Sequence, residues 1–293
     1  MRTGNVLVIL VVGVLALAAA PAEAAVVWDG DASKGTKVFA LIGSNCASPG
    51  SVAAVDDSSR GKVWRFRKPS GSDRCENRGI ANNGTKYHFA NGGTYYLGWS
   101  SKLSNTVNNN ATFQWKSYGD HIQNWPVVLK MIGGSLTMIQ RQPDGVVHTI
   151  WSKPVSANAW NHIVVGLKLS DQTTGGWVEL WFNGVKQTFK NGSQRWACRT
   201  WDSLNDPKWG VYGAENASVD NYLDDLKVGT TYADVAQGGN PPDPGTHPAW
   251  ATNTAYATGD KVSYSGRNYR CIQSHTSQAG WEPPNVPALW EAI

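Results

Sequence analysis

The sequence predicts an all-β protein, an antiparallel β-sandwich or jelly roll followed by a small β-rich module. Short segments that alternate apolar with polar residues recur along most of the chain, which is the pattern of half-buried strands. Turn signals such as Gly133-Gly134, Asp144-Gly145 and Asn183-Gly184 separate them. No helical period follows residue 25, and charged residues make up only 16% of the 293 residues. Two packed antiparallel sheets account for these features.

The first 24 residues read as a secretory signal peptide. Met1-Arg2 supplies a positive start, residues 6–20 form an apolar run, and Ala22-Glu23-Ala24 places small residues at a cleavage site. An apolar run of roughly 15 residues is short for a membrane span. We therefore expect cleavage after Ala24 and a secreted, extracellular protein that does not span a membrane.

Residues 25–236 form the predicted sandwich domain, and its most informative stretch is residues 73–78. If this stretch is a strand, Arg74, Glu76 and Arg78 point to one face because side chains alternate along a strand. Two guanidiniums beside one carboxylate can bind an acidic sugar, with Glu76 fixing the orientation of the arginines. A solvated outer face or a charged edge strand is the other interpretation.

Export makes the four cysteines candidates for disulfides. Four cysteines allow three pairings, and we favour Cys46 with Cys75 because they lie close in sequence. Cys198 and Cys271 stay unassigned. The sequence contains no tight cluster of histidines and cysteines, so we expect no cofactor and no zinc site. The sequence leaves open whether a structural Ca²⁺ lies between strands.

The amino-acid composition changes after residue 236. Residues 237–247 are rich in glycine and proline and read as an interdomain linker. Residues 248–293 are too few to bury the many aromatic rings that they contain. Exposed planar rings bind the apolar faces of pyranose sugars, so this tail is predicted to be a carbohydrate-binding module.

The tail resembles the chitin-binding type-3 modules of bacterial chitinases over its full length. The matching stretches are Gly259-Asp260-Lys261-Val262, Gly266-Arg267-Asn268-Tyr269-Arg270-Cys271, His275-Thr276-Ser277, Gly280-Trp281-Glu282-Pro283 and Leu289-Trp290. The resemblance implies that exposed aromatic side chains bind an insoluble glycan such as chitin. It points to Trp281 first, and then to Tyr256 or Trp250.

The large domain is similar to jelly-roll polysaccharide lyases of the heparinase-I-like and alginate-lyase-like kind, which have a concanavalin-like fold. Three stretches carry this resemblance in the order of the family. They are Arg74-Cys75-Glu76-Asn77-Arg78, Phe113-Gln114-Trp115-Lys116 and Lys208-Trp209-Gly210-Val211-Tyr212. The resemblance implies cleavage of an acidic, uronate-containing polysaccharide by β-elimination.

The resemblance also implies which residues act. The catalytic candidates are Arg74, Gln114, Lys116, His121, Lys208 and Tyr212, and the substrate-binding candidates are Glu76, Arg78, His88 and Trp115. Arginine or glutamine would neutralise the uronate carboxylate, and Tyr212 would protonate the leaving oxygen. Lys116 stands where the family often places a basic histidine. The base is therefore a desolvated Lys116, His121, His88 or Tyr212 itself.

Two other functions stay open at this point. A sandwich-fold glycoside hydrolase acting on chitin-like glycans needs two carboxylates, and only scattered acidic residues are present. A non-catalytic carbohydrate-binding protein would share the same fold. The formal net charge of +4 is spread along the chain, so nucleic acid is not an expected partner, and we expect a monomer.

Overall fold

The computed structural model describes residues 25–120, 122–214, 216–236, 247–248, 250–264 and 267–292. In these ranges the protein is built almost wholly from strands, and the helical elements are three-residue 3₁₀ turns at Ala32–Lys34, Thr36–Val38 and Pro283–Asn285. Within the same residues, none of the helices has the length and apolar character that a bilayer crossing requires. The predicted signal peptide, residues 1–24, lies outside the described residues, as do residues 237–246 of the predicted linker.

The strands of the large domain are short and follow one another with few intervening residues. In chain order they are β1 (Val26–Asp29), β2 (Phe39–Leu41), β3 (Ser51–Asp57), β4 (Gly61–Lys68), β5 (Arg74–Glu76), β6 (Arg78–Asn82), β7 (Thr85–Lys86), β8 (Thr94–Leu103), β9 (Asn110–Ser117), β10 (Val127–Ile132), β11 (Ser135–Arg141), β12 (Val147–Pro154), β13 (Asn161–Lys168), β14 (Trp177–Phe182), β15 (Val185–Lys186), β16 (Trp196–Ala197), β17 (Asn205–Gly213) and β18 (Val219–Gly229).

Two large antiparallel sheets form the sandwich, as predicted. The nine-stranded sheet has the order β15-β14-β13-β8-β18-β4-β3, with β1 paired to β18 and β16 paired to β14. The six-stranded sheet has the order β12-β11-β10-β9-β17-β5. A separate three-stranded sheet has the order β2-β6-β7. The fold class is confirmed, and the site lies on the six-stranded sheet.

Aromatic side chains fill the core between the two sheets. Trp99 of β8 stacks on Phe113 of β9 with ring centroids 4.8 Å apart, and Trp28 of β1 stacks on Trp209 of β17 at 5.7 Å. Each ring that is fully buried contributes roughly 1.5–3 kcal/mol to stability by leaving water. Because Phe113 and Trp209 point into the core, their neighbours Gln114 and Lys208 point to the opposite face of the sheet.

The Cys46–Cys75 disulfide is present, as predicted. It links the loop after β2 to β5, the strand that begins at Arg74. Cys198 and Cys271 are both buried as free thiols. Burial raises the pKa of Cys198 to about 12, so this thiol is unreactive at neutral pH.

The C-terminal module has its own small core. Its strands are β19 (Ala255–Tyr256), β20 (Lys261–Tyr264), β21 (Arg267–Cys271), β22 (His275–Thr276) and β23 (Trp290–Ala292). β20, β21 and β23 form one sheet, and β19 pairs with β22. The core consists of Tyr256, Val262, Tyr269, Cys271 and Trp290.

Candidate active site

The three sequence motifs meet on adjacent strands of the six-stranded sheet. β17 lies between β9 and β5, and it is antiparallel to both. In this register Lys208 is opposite Gln114, and Tyr212 is opposite Arg74. The motifs are far apart in sequence, so their alignment is a result of the fold. Their polar side chains share the face that points away from the core.

A buried glutamate lies at the centre of this face. Glu76 is 2% exposed, and its carboxylate accepts hydrogen bonds from Gln114 Nε2 and from Lys208 Nζ, each at 2.5 Å. Burial raises the pKa of Glu76, and the positive charge of Lys208 and the hydrogen bond from Gln114 oppose that rise. The carboxylate thus fixes the Gln114 amide with its nitrogen toward Glu76.

Glu76 therefore does not hold the two arginines, which corrects the sequence-based interpretation. Arg74 donates from Nε and Nη2 to Asp73, at 2.8 and 2.7 Å. Arg78 donates from Nε to Asp206 at 3.3 Å. The alternation of a strand places side chains on one face, but it does not determine which of them pair.

Arg74 is instead paired with Tyr212. The guanidinium carbon lies 4.2 Å from the centroid of the Tyr212 ring, which is a cation–π contact. Burial lowers the pKa of Arg74, but the hydrogen bonds to Asp73 and the nearby Glu76 carboxylate raise this pKa by more. Arg74 therefore stays cationic. Tyr212 also packs against the buried side chains Ala111 and Val128. The phenol is thus held beside a permanent positive charge.

Gly210 allows β17 to approach β5 at this point. Its φ of 139° lies in a region that side chains rarely adopt, and a Cβ would lie 2.2 Å from the carbonyl oxygen of Cys75. A larger residue would push the two strands apart and separate Tyr212 from Arg74. The glycine of the Lys-x-Gly-x-Tyr motif therefore has a structural role in the site.

Two residues of the site were missed by the sequence analysis. Asp206 is fully buried and accepts hydrogen bonds from Arg78 and Lys86, the latter at 2.7 Å. Arg78 makes a cation–π contact with Tyr118, with its guanidinium carbon 3.5 Å from the ring centroid. Burial raises the pKa of Tyr118 to about 12. Both residues lie two positions from a motif residue, Asp206 before Lys208 and Tyr118 after Lys116, so alternation could have indicated them.

Lys116 is hydrogen-bonded to the end of β9 and to the loop that follows it. Its ammonium donates to the carbonyl oxygens of Ser117, at 3.0 Å, and of Asn124, at 3.1 Å, and also to the Asn124 side-chain oxygen. Burial, together with the nearby charges of Lys208 and the two arginines, lowers its pKa to about 8. Three acceptors satisfy the three donors of an ammonium group, and this arrangement favours a cation over a general base.

The remaining predicted residues do not join this cluster. Trp115 is fully buried in the core, where its ring contacts Phe89 at 4.9 Å and its Nε1 donates to the carbonyl oxygen of Thr200. The prediction that Trp115 contacts substrate is therefore wrong, because the ring points to the face opposite Gln114. His88 is exposed beyond β7, and no described contact links it to Glu76. His121 lies outside the described residues.

A cavity of about 220 Å³ opens beside Tyr212 and Gln114. Its other lining residues include Trp125 and Lys130. Lys130, Lys116 and Lys208 lie on the six-stranded sheet, and Arg78 and Lys86 of the neighbouring three-stranded sheet add two more positive charges around the site. Within the described residues, no three histidine, cysteine or acidic side chains gather as metal ligands. The described side chains bring amide, guanidinium, ammonium, phenol and carboxylate groups together around this face.

Comparison with known proteins identifies the large domain. A family model described as polysaccharide lyase matches residues 28–236, which is more than half of the chain. The chain belongs to the polysaccharide lyase family. The lyase prediction is thereby confirmed at the level of the family. A model of carbohydrate-binding module family 5/12 matches residues 249–291, which confirms the predicted module of this polysaccharide lyase.

Curated relatives match short segments of this polysaccharide lyase. Chitinase A1 of Niallia circulans is 63% identical over 43 residues, which cover 15% of this chain and 6% of the chitinase. Streptogrisin-C of Streptomyces griseus is 49% identical over 63 residues, which cover 19% of this chain and 14% of that protein. The chain thus spans only a small part of the length of these relatives.

Solved structures resemble the large domain. An endo-β-1,4-glucuronan lyase from the fungus Trichoderma reesei is 19% identical with a TM-score of 0.48, and the match covers 66% of this chain and 92% of that one. The alginate lyase AlgAT5 of polysaccharide lyase family 7 is 18% identical with a TM-score of 0.44, covering 60% of this chain and 81% of that one.

The module of this polysaccharide lyase buries one of its three predicted binding residues. Tyr256 is 9% exposed in the module core, and the backbone nitrogen of Ala251 donates to its hydroxyl at 2.8 Å. The prediction that Tyr256 contacts glycan is wrong, because a domain of this size needs large rings for its core. Trp250 and Trp281 are half-buried, so each ring keeps surface that a sugar can contact.

Proposed function

We propose that this protein is a secreted lyase that cleaves a uronate-containing polysaccharide by β-elimination. The observation that carries the proposal is the convergence of Arg74, Gln114 and Tyr212 on adjacent strands around the buried Glu76–Lys208 pair. The disulfide between Cys46 and Cys75 supports secretion, because such bonds persist in oxidising compartments.

The reaction begins with neutralisation of the substrate carboxylate. Removing the proton on the adjacent ring carbon places negative charge on that carboxylate, and preorganised donors stabilise it. Gln114 retains one amide hydrogen that Glu76 does not use, and its orientation is fixed by Glu76. Arg74 supplies a permanent positive charge on the neighbouring strand.

Tyr212 is the proposed proton-transfer residue. Elimination breaks the carbon–hydrogen bond next to the carboxylate and the bond to the glycosidic oxygen, and it forms a carbon–carbon double bond between the two ring carbons. A base accepts the proton from the ring carbon, and an acid donates a proton to the glycosidic oxygen. Arg74 lies over the Tyr212 ring and places a permanent positive charge beside the phenol. One tyrosine can then accept the first proton and return one to the leaving oxygen.

The arrangement does not favour the hydrolase alternative. A glycosidase needs two carboxyl groups that face the scissile bond. Two carboxylates lie at this site. Glu76 accepts hydrogen bonds from Lys208 and Gln114. Asp206 accepts hydrogen bonds from Arg78 and Lys86. Both carboxylates serve to position cations.

A substrate panel tests the proposal. The full chain is incubated with polyglucuronate, alginate, a heparin-like glycosaminoglycan and neutral chitin, and the ultraviolet absorbance of the conjugated double bond is followed. We expect absorbance to rise with at least one acidic polymer and to stay flat with chitin. Flat traces on every acidic polymer would contradict the proposal.

We propose further that the module retains the enzyme on insoluble glycan such as chitin, which raises its local concentration there. Trp281→Ala is expected to weaken retention on chitin about tenfold, or about 1.4 kcal/mol, because a stacking ring is lost. Activity on soluble polyuronate should not change. The measurement is a depletion isotherm, with the exposed Ile272 changed to alanine as a matched control. Equal retention of the two variants would contradict this role of Trp281.

A further inference from the structure

The cavity beside Tyr212 has an apolar floor and aromatic walls. Ala111, Val128 and Ile139 are buried at its base, and their small or branched side chains leave the space open. Trp125 and Tyr212 both pack against these three residues, so two rings flank the same patch. A pyranose ring has apolar faces, and a site of this kind suits it.

Lys130 adds a positive charge to this apolar site. It lies two residues after Val128 on β10, and in the register of the sheet it pairs with Ala111, which in turn pairs with Tyr212. Lys130 and Tyr212 are therefore two strand spacings apart, about 9.5 Å along the sheet. Arg74 lies on β5, on the other side of Tyr212, and is assigned to the carboxylate at the reacting carbon, so we assign Lys130 to a different group.

The ammonium of Lys130 differs from those of the other lysines around the site. Lys86, Lys116 and Lys208 each donate to oxygen atoms of the protein. In the described parts of the chain, no carboxylate or carbonyl oxygen accepts a hydrogen bond from Lys130, although the residue is half-buried and lines the cavity. A partly desolvated charge without an internal partner is suited to an anionic ligand.

We propose that this cavity is a subsite for the sugar next to the one on which Tyr212 acts, and that Lys130 binds the carboxylate of that second sugar. The inference rests on the proposed lyase function. Trp125 stacks on the sugar ring, and Lys130 selects a uronate over a neutral sugar at this position. The enzyme then requires two uronates in succession and cleaves poorly where a neutral sugar follows.

Kinetics with two matched substrates test the subsite. One is a homopolymeric uronate, and the other is the same polymer with part of its carboxyl groups reduced to hydroxymethyl groups. Wild-type protein should favour the intact polymer in kcat/KM. Lys130→Met should raise KM for the intact polymer about tenfold and reduce the preference for it, whereas Lys130→Arg should retain the preference.

Lys62→Met is the matched control. It removes the same charge from an exposed lysine on β4, in the other sheet, where the side chain pairs with Asp56. Thermal denaturation of all variants verifies folding. Equal KM and equal preference in the Lys130→Met and Lys62→Met variants would overturn the subsite, while leaving the lyase function intact.

A binding measurement separates failure of the subsite from failure of the proposed function. If no acidic polymer is cleaved, the same variants are titrated calorimetrically with a uronate trisaccharide. A loss of affinity of about tenfold in Lys130→Met, absent in Lys62→Met, would support the uronate site. Equal affinities, or absence of binding to wild-type protein, would overturn it.

Discussion

Tyr212→Phe is expected to lower kcat by about 10²–10⁴-fold, which is the range that positioned acid–base groups contribute. The substitution removes only the phenol oxygen. The ring keeps its packing against Ala111 and Val128 and its contact with Arg74, so KM should change by less than about threefold. Initial rates of double-bond formation over a range of substrate concentrations provide both constants.

The matched control for this prediction is Tyr222→Phe. Tyr222 lies on β18, in the nine-stranded sheet, so its hydroxyl is remote from the proposed chemistry. Both variants should unfold within about 1 kcal/mol of the wild type, because exposed or half-buried hydroxyls contribute little. Full activity in Tyr212→Phe would assign the proton transfers to another residue.

Glu76→Ala is expected to damage stability and activity together. Lys208 is 3% exposed, and removing its partner leaves a buried ammonium without compensation, which costs about 3–5 kcal/mol. The Gln114 amide also loses the acceptor that orients it. Chemical denaturation measures the stability loss, and kcat should fall at least about tenfold because the Gln114 amide, which donates to the substrate carboxylate, is no longer positioned.

A double variant separates these two effects. In Glu76→Leu with Lys208→Met, both charges are replaced by apolar groups, and most of the lost stability should return. Activity should stay low, because Gln114 still lacks its partner. Recovery of activity along with stability would show that the Glu76–Lys208 pair serves folding alone.

Much of the site could be predicted from the period of the strands. Alternation along β9 and β17 correctly places Gln114 with Lys208 on one face of the sheet. The same rule assigns Trp115 to the core, since it lies between Gln114 and Lys116. Trp115 lies within the Phe113–Lys116 motif, but its position in the alternation places the ring in the core and away from the substrate.

The partners of charged side chains could not be predicted in the same way. Arg74, Glu76 and Arg78 alternate as one stretch, but β5 ends at Glu76, and Arg78 begins β6 in a different sheet. Asp206, which lies on β17 more than a hundred residues later in the sequence, accepts a hydrogen bond from Arg78. Such pairs depend on the long-range register, which a short motif does not contain. For the same reason, the aromatic composition of the module did not distinguish Tyr256 in the core from half-buried Trp281.

The proposed activity is elimination on polyuronate at the Arg74–Gln114–Tyr212 site. The most direct test counts double bonds and new reducing ends in the same digest of polyglucuronate or alginate. We expect one conjugated double bond for each new reducing end, and both products should form at least about 10²-fold more slowly with Tyr212→Phe. Reducing ends without double bonds would indicate hydrolysis and would contradict the account.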